Sequence, residues 1–132
     1  MKNKNWIKPE IKHGSPTKYG WIVSYPKKLF LEKYTDIGAF TYIQAQEGVE
    51  IKKFAQLGSH CSVYSVSTID KKRGKVVIGR NARVGSHSVI MPGVTIGANT
   101  VVGAMSFVNR DLPANVLAYG SPVRIVKKPK KP

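Results

Sequence analysis

Aliphatic residues recur every six positions in the second half of the chain. The repeating positions are Ile78, Val84, Ile90, Ile96, Val102 and Val108. An amphipathic helix would repeat at 3.6 residues and a half-buried strand at 2. A six-residue period is typical of a solenoid, whose short strands each direct one branched aliphatic side chain into a narrow interior. The pattern therefore predicts many short strands wound into coils.

The repeat extends upstream with two interruptions, one around Gly48 and one from Asp70 to Lys75. If each coil holds three six-residue units, the coils form a triangular prism. The aliphatic residues then sort into three predicted stacks. This arrangement suits the cross-strand packing of β-branched residues. The predicted stacks are Ile37, Leu57, Ile78 and Ile96; then Ile43, Val63, Val84 and Val102; then Ile51, Ile69, Ile90 and Val108.

The length of 132 residues suits one domain with a modest core. Residues 1–30 are rich in Lys, Pro and aromatics and are predicted to be a lead-in that caps the first coil. Residues 31–126 are predicted to form the β-helix domain, of which residues 110–126 are a return segment with short extended pieces. Residues 127–132 are a basic tail.

The net charge of +15 arises from 22 Lys and Arg against seven Asp and Glu. Such a field attracts polyanions or phosphorylated small molecules. Nucleic acid is one candidate, but no nucleic-acid motif with interleaved aromatics accompanies the charge. A phosphate-bearing cofactor or substrate explains the bias better, and a merely soluble basic surface is the alternative.

The expected location is the cytoplasm. The single Cys61 excludes an internal disulfide and fits a reducing compartment; it is expected to be a small, packed corner residue. The polar, basic N-terminus does not resemble a signal peptide. No run of about 20 apolar residues would span a membrane.

Three stretches, residues 78–97, 102–113 and 118–124, resemble the hexapeptide-repeat acyltransferases. They include Pro-Gly-Val-Thr-Ile-Gly at 92–97 and Gly-Ser-Pro-Val-Arg at 120–124. The pattern is most similar to galactoside acetyltransferases and to small sugar or sugar-nucleotide acetyltransferases. This resemblance implies an all-β fold, the left-handed parallel β-helix, and a homotrimer with active sites in the clefts between neighbouring prisms.

The resemblance also implies a function. Acetyl-CoA would donate an acetyl group to a hydroxyl or amine of a sugar or sugar nucleotide, in surface polysaccharide biosynthesis. The positions that match the family's cofactor contacts are Ser86, Ala104, Asn109, Arg110, Arg124 and Lys127. Backbone N–H groups near the first two can bond the pantetheine amides, and the three basic side chains can pair with the cofactor's phosphates.

Acetyl transfer needs a base, and histidine is the usual one at neutral pH. His60 and His87 each lie in a Gly-Ser-His corner, whereas His13 precedes the repeat. Galactoside acetyltransferases carry their catalytic His in a His-Pro-Val-His stretch ahead of the inserted loop, where this chain has residues 65–68, Ser-Val-Ser-Thr. We favour His60 as the base, with His87 as the second candidate. There are two alternatives. The enzyme could rely on an acceptor amine that is already nucleophilic, or the chain could be an inactive β-helix protein.

Two other classes of protein share features with this sequence. A γ-class carbonic anhydrase shares the fold but needs three zinc-binding histidines, two of them closely spaced, and His60 and His87 are 27 positions apart. No metal site is therefore expected. A non-enzymatic scaffold or polyanion-binding β-helix is compatible with the charge and with the missing family histidine, and it is the alternative to an enzyme.

Overall fold

The computed structural model describes residues 5–128, and strands dominate this part of the chain. One short 3-10 turn, Pro26–Lys28, interrupts them. The strands in chain order are β1 Ile22–Ser24, β2 Leu29–Leu31, β3 Asp36–Ile37, β4 Tyr42–Gln44, β5 Val49–Ile51, β6 Gln56–Leu57, β7 Ser62–Tyr64, β8 Val66–Ser67, β9 Lys72–Arg73, β10 Val76–Ile78, β11 Arg83–Val84, β12 Val89–Ile90, β13 Thr95–Ile96, β14 Val101–Val102, β15 Phe107–Val108, β16 Leu117–Tyr119 and β17 Arg124–Lys127.

The strands form three sheets that make the three faces of a parallel β-solenoid. The first face has the order β1-β4-β7-β12-β15, the second β13-β10-β5-β2, and the third β17-β16-β14-β11-β6-β3. Successive strands within a face are parallel, apart from β17, which is antiparallel to β16. The predicted prism of short, stacked strands is confirmed.

The register of the strands corrects the predicted stacks. Ile78 lies beside Ile51, and Ile90 lies beside Val63. The six-residue count placed Ile69 in the interior, but this side chain is 97% exposed. Ile78 occupies the place predicted for Ile69, so every later repeat moves by one face. The observed stacks are Val23, Ile43, Val63, Ile90 and Val108; Leu31, Ile51, Ile78 and Ile96; and Ile37, Leu57, Val84, Val102 and Ala118.

The second interruption of the repeat is a β-hairpin rather than the short loop predicted from Asp70 to Lys75. Strands β8 and β9 pair in antiparallel register outside the three faces. The hairpin is tied to the preceding coil by an ion pair, in which Arg73 lies 2.8 Å from Glu47. At its turn, a hydrogen bond from the Ser67 side chain lowers the pKa of Asp70. Ile69 stands at this turn with its side chain almost fully exposed and lies outside the core cluster of the described residues.

Both ends of the solenoid are closed by non-repeating segments. At the N-terminal end, Trp21 is buried and the indole N–H of Trp6 donates to the Thr35 carbonyl at 2.8 Å. Parallel pairing begins at β1, inside the predicted lead-in. At the other end, β16 and β17 confirm the predicted extended pieces of the return segment. Residues 129–132 of the predicted tail lie outside the described residues. No helical segment of residues 5–128 has the length and apolar character needed to cross a membrane.

Candidate functional site

Four coils turn from the third face to the first through one corner, which we call the histidine corner. Its members are Phe40, His60, His87 and Met105, with φ values of 65°, 59°, 61° and 60°. These left-handed values are uncommon for residues other than glycine. They are held by a repeated backbone bond: His60 N–H donates to Ala39 at 3.0 Å and His87 N–H to Ser59 at 3.1 Å. The same backbone turn on each coil places the four side chains one above another.

The two imidazoles of the histidine corner stack on each other. The His60 and His87 ring centroids are 4.7 Å apart with 7° between the planes, and the Phe40 ring lies 4.9 Å from His60 on the other side. Both histidines are exposed. Within residues 5–128, no hydrogen bond uses a ring nitrogen of either one. The ring edges of both imidazoles are therefore available to a ligand.

His13 lies apart from this corner. Its Nδ1 accepts a hydrogen bond from the Tyr25 backbone N–H at 2.9 Å, and its ring packs edge-on against the Tyr25 ring. No group of three or more His, Cys, Asp or Glu side chains close enough to hold a metal ion occurs among residues 5–128. The histidines thus divide into a stacked pair and one residue with a local structural contact.

A row of buried polar side chains supports the histidine corner from inside. Thr41 Oγ1 donates to the Gly58 carbonyl at 2.9 Å, Cys61 Sγ contacts the Gly85 carbonyl at 3.3 Å, and Ser88 Oγ contacts the Gly103 carbonyl at 3.3 Å. Each small side chain thereby binds the backbone of the next coil. Cys61 is 1% exposed, and burial raises the pKa of its thiol. The prediction of a packed corner residue is confirmed.

Glycines let the coils approach closely at this corner. A Cβ on Gly58 would lie 2.7 Å from the backbone nitrogen of Ser86, and one on Gly85 would collide with the backbone nitrogen of Ala104. Ser86 and Ala104 are therefore neighbours on successive coils, directly before His87 and Met105. Among the described residues, neither of their backbone N–H groups has an acceptor in the turn hydrogen bonds. Two predicted cofactor positions thus lie beside the stacked histidines with donors available.

The other predicted cofactor positions lie at the C-terminal end of the solenoid. Arg124 and Lys127 are on β17, where Arg124 is opposite Tyr119, whose side chain covers Gly103. Asn109 and Arg110 follow β15, at the far end of that strand from Ala104. All four side chains are exposed. None of the ion pairs within residues 5–128 uses Arg110, Arg124 or Lys127, so their charges are open to an anionic ligand.

A second concave region was missed at the sequence level. A groove of about 850 Å³ lies between the N-terminal segment and the corner that joins the second face to the third. Tyr34 and Phe54 occupy successive positions of this corner, and their rings stack with centroids 5.5 Å apart. Their αL conformation, with φ of 63° and 67°, matches that of His60. The signal that could have found them is their spacing: each lies three residues before a stacked aliphatic, Ile37 or Leu57, as His60 lies three residues before Val63.

The fold and the repeat define the class of protein. The family model described as "Bacterial transferase hexapeptide (six repeats)" matches residues 75–110. A solved structure of a variant of AntD, an N-acyltransferase from Bacillus cereus in complex with dTDP and coenzyme A, is 30% identical, covers 84% of this chain and 72% of its own, and has a TM-score of 0.68. The chain belongs to the hexapeptide-repeat transferase family, which confirms the resemblance of residues 78–97, 102–113 and 118–124.

Curated relatives and a further structure agree with this assignment. A Staphylococcus aureus protein provisionally named an acetyltransferase is 32% identical over 115 residues, which are 85% of this chain and 58% of the relative. The galactoside O-acetyltransferase of Escherichia coli is 54% identical over 52 residues, 39% of this chain and 26% of the relative. A hexapeptide-repeat acetyltransferase from Vibrio cholerae, complexed with acetyl coenzyme A, is 26% identical, covers 84% of this chain and 66% of its own, and has a TM-score of 0.77. The chain thus spans little more than half the length of the first Staphylococcus aureus relative.

Proposed function

We propose that this protein transfers an acetyl group from acetyl-CoA to a hydroxyl or amine of a sugar or sugar nucleotide. The observation that carries the proposal is the pair of exposed, stacked imidazoles beside the N–H groups of Ser86 and Ala104. Support comes from relatives that act on galactosides or hold acetyl coenzyme A. We extend the proposal to surface polysaccharide biosynthesis in the cytoplasm.

His60 acts as the general base in this proposal. Its ring is held between Phe40 and His87, so its plane is restrained while its edge faces the ligand. The imidazole takes the proton from the acceptor hydroxyl or amine as that group attacks the thioester carbonyl. The tetrahedral oxyanion then collapses, the carbon–sulfur bond breaks, and the CoA thiolate receives the proton from the imidazolium.

The acetyl donor lies along the solenoid from the histidine corner toward its C-terminal end. The backbone N–H groups of Ser86 and Ala104 bond the pantetheine amides. Arg110, Arg124 and Lys127, which form no ion pair with another described residue, pair with the phosphates, because guanidinium and ammonium groups bind phosphate oxygens strongly. Asn109 adds a polar contact next to Arg110. The pantetheine is assigned to Ser86 and Ala104 and the phosphates to the basic residues because the two groups lie at different positions along the solenoid.

A homotrimer completes the site in this proposal. Ile69 is 97% exposed at the hairpin turn, and Phe40 and Met105 of the histidine corner are 68% and 73% exposed. In this proposal, the surface that a neighbouring copy covers includes these three side chains. Three prisms related by a threefold axis would cover these residues and place a cleft beside each histidine corner.

The test is release of CoA from acetyl-CoA in the presence of a panel of amino sugars, hydroxy sugars and sugar nucleotides. A thiol reagent detects the product, and the buried Cys61 adds little background in the native protein. We expect acceptor-dependent CoA release that is lost in His60→Ala. A protein that binds no acetyl-CoA and releases no CoA with any acceptor would instead be the scaffold or polyanion-binding β-helix.

A further inference from the structure

We infer that the groove on the side of the solenoid away from the histidine corner binds an anionic saccharide, meaning a short sugar chain that carries a carboxylate or a phosphate. The groove has a volume of about 850 Å³, within the range of about 300–1,000 Å³ that is usual for ligand sites. The inference does not depend on acetyl transfer, because it concerns binding alone.

One wall of the groove is a pair of stacked aromatic rings. Tyr34 and Phe54 lie on successive coils with 10° between their planes. Two cations lie over these rings: Lys53 Nζ is 5.6 Å from both centroids, and the Arg80 guanidinium is 5.3 Å from that of Phe54. The Phe54 ring thus lies between Tyr34 and Arg80, so the edges of the stacked rings line the groove, and the Arg80 guanidinium beside them can meet the acidic substituent of a sugar.

The floor of the groove is a row of polar side chains on the third face. Asp36, Gln56 and Arg83 lie side by side on β3, β6 and β11 and point outward. Among the described residues, the side chains of Gln56 and Arg83 make no hydrogen bond or ion pair. A carboxylate, an amide and a guanidinium in one line supply both acceptors and donors, which is the combination that sugar hydroxyls require.

The opposite wall is the N-terminal segment, and it is held in place. The Trp6 indole N–H donates to the Thr35 carbonyl at 2.8 Å, which pins this segment to the first coil. Tyr19 is 53% exposed with Lys18 Nζ 5.1 Å from its centroid. The groove is thus a walled channel with aromatic rings on both sides.

Charge decides which kind of saccharide fits. Among the described residues, the groove is lined by the cations Lys18, Arg80 and Arg83 and by one carboxylate, that of Asp36. A guanidinium binds a carboxylate or phosphate through two parallel hydrogen bonds. A bound saccharide therefore needs a negative charge near Arg80 and Arg83, and hydroxyls near Asp36. A long polyphosphate backbone is disfavoured, because it would pass the Asp36 carboxylate without hydroxyl groups to donate to it.

The groove is connected to the histidine corner across the third face. Asp36, Gln56 and Arg83 also line a shallower depression of about 410 Å³ that continues to Gly58 and Ala104. A saccharide that fills the groove can therefore extend toward the stacked histidines. Binding in the groove can be separated from reaction at the corner through Arg80, which lines the groove but not the depression.

The experiment is titration calorimetry on the full chain with matched ligands. The probes are a glucuronate-containing tetrasaccharide, trehalose 6-phosphate, neutral maltotetraose, inorganic phosphate and single-stranded oligothymidylate. The variants are Arg83→Gln, Arg80→Gln and Phe54→Leu. The matched controls are Lys28→Gln and Phe30→Leu, an exposed cation and an exposed ring that do not line the groove. Thermal melting checks that each variant folds, and sedimentation gives its oligomeric state.

We expect one or both of the charged saccharides to bind at least tenfold more tightly than maltotetraose and inorganic phosphate. As single substitutions, Phe54→Leu and at least one of Arg83→Gln and Arg80→Gln should raise the dissociation constant at least tenfold. The two controls should leave it unchanged. The two charged probes distinguish a carboxylate from a phosphate substituent. Equal binding of the neutral saccharide, tighter binding of the oligonucleotide, no binding of either charged saccharide, or variants that change only the oligomeric state would each overturn the inference.

Discussion

The imidazole rings of His60 and His87 lie parallel, 4.7 Å apart between centroids, although 27 positions separate them along the chain. The hairpin formed by β8 and β9 accounts for the separation, because it adds residues outside the coil without changing the register of β7 and β12. The two histidines therefore form one structural unit, and a substitution at either affects the surroundings of the other.

The first prediction concerns the base. Loss of a general base typically costs about 10²–10⁴-fold in rate, so His60→Ala should lower kcat by that order with little change in acetyl-CoA binding. His87→Ala should lower kcat less, because it removes only the ring that packs against His60. Steady-state kinetics with a true acceptor measures both, and His13→Ala is the matched control outside the corner.

The outcomes of this comparison lead to different mechanisms. If His87→Ala is the more damaging change, the two roles are exchanged and the acceptor approaches one coil later. If neither change costs as much as tenfold, no imidazole acts as the base. The acceptor would then be an amine activated by its position and by oxyanion donors, which favours an amino sugar.

The second prediction concerns the cofactor's phosphates. Arg124→Ala should raise the KM for acetyl-CoA while leaving kcat and thermal stability close to those of the parent, because the side chain is exposed and has no ion-pair partner within residues 5–128. Arg110→Ala and Lys127→Ala should act in the same direction. Lys28→Ala serves as the control for a general loss of charge. An unchanged KM in all three variants would remove this assignment.

The third prediction concerns assembly. Multi-angle light scattering should give the mass of a trimer at micromolar concentration. Ile69→Ser should weaken the trimer without lowering the stability of the single prism, because this side chain is 97% exposed and contributes no packing within the chain. A stable monomer for the parent protein is the result that contradicts the proposal.

The six-residue period was sufficient to predict short parallel strands in a three-sided prism, because each repeat contributes one aliphatic residue to the interior. It was not sufficient to predict the stacks beyond Val63. Ile69 falls on the period by chance and belongs to a hairpin, and only strand pairing distinguishes it from Ile78. The contact between the two histidines follows from the same pairing, so the sequence placed them on corners but not side by side.

The groove beside Tyr34 and Phe54 was missed for a related reason. These residues lie between stacked aliphatics, where the period specifies a corner but not the direction of a side chain. Their stacking arises from the αL backbone that successive corners share. The groove's other wall comes from Trp6, whose contact with Thr35 spans 29 positions and follows no repeat.

The fourth prediction concerns the thiol of Cys61. Burial is the main cause that raises its pKa above the ordinary value of 9.0, so the native protein should resist alkylation by iodoacetamide until it unfolds. The sign of the pH dependence follows. The stability that the neutral thiol contributes is fully present below the unfolded pKa and is lost as pH rises through the higher folded pKa. Denaturant titrations should show a fall in stability above about pH 9 that is smaller in Cys61→Ala; rapid alkylation of the native protein would contradict the assignment.

The last prediction uses the corrected register. Ile78 is completely buried between Ile51 and Ile96, whereas Ile69 lies outside the solenoid. Ile78→Ala should therefore lower the free energy of unfolding by about 2–5 kcal/mol, since it removes buried methyl groups and leaves a cavity that the stacked coils cannot close. Ile69→Ala is the matched control, the same substitution nine positions earlier, and in the dissociated protein it should change the free energy by no more than about 0.5 kcal/mol. Urea titration, at protein concentrations too low for the chains to associate, measures the free energy of unfolding of both variants. Equal destabilisation by the two variants would mean that Ile69 is also an interior residue, and the register of the second half of the solenoid would be the one predicted from the repeat.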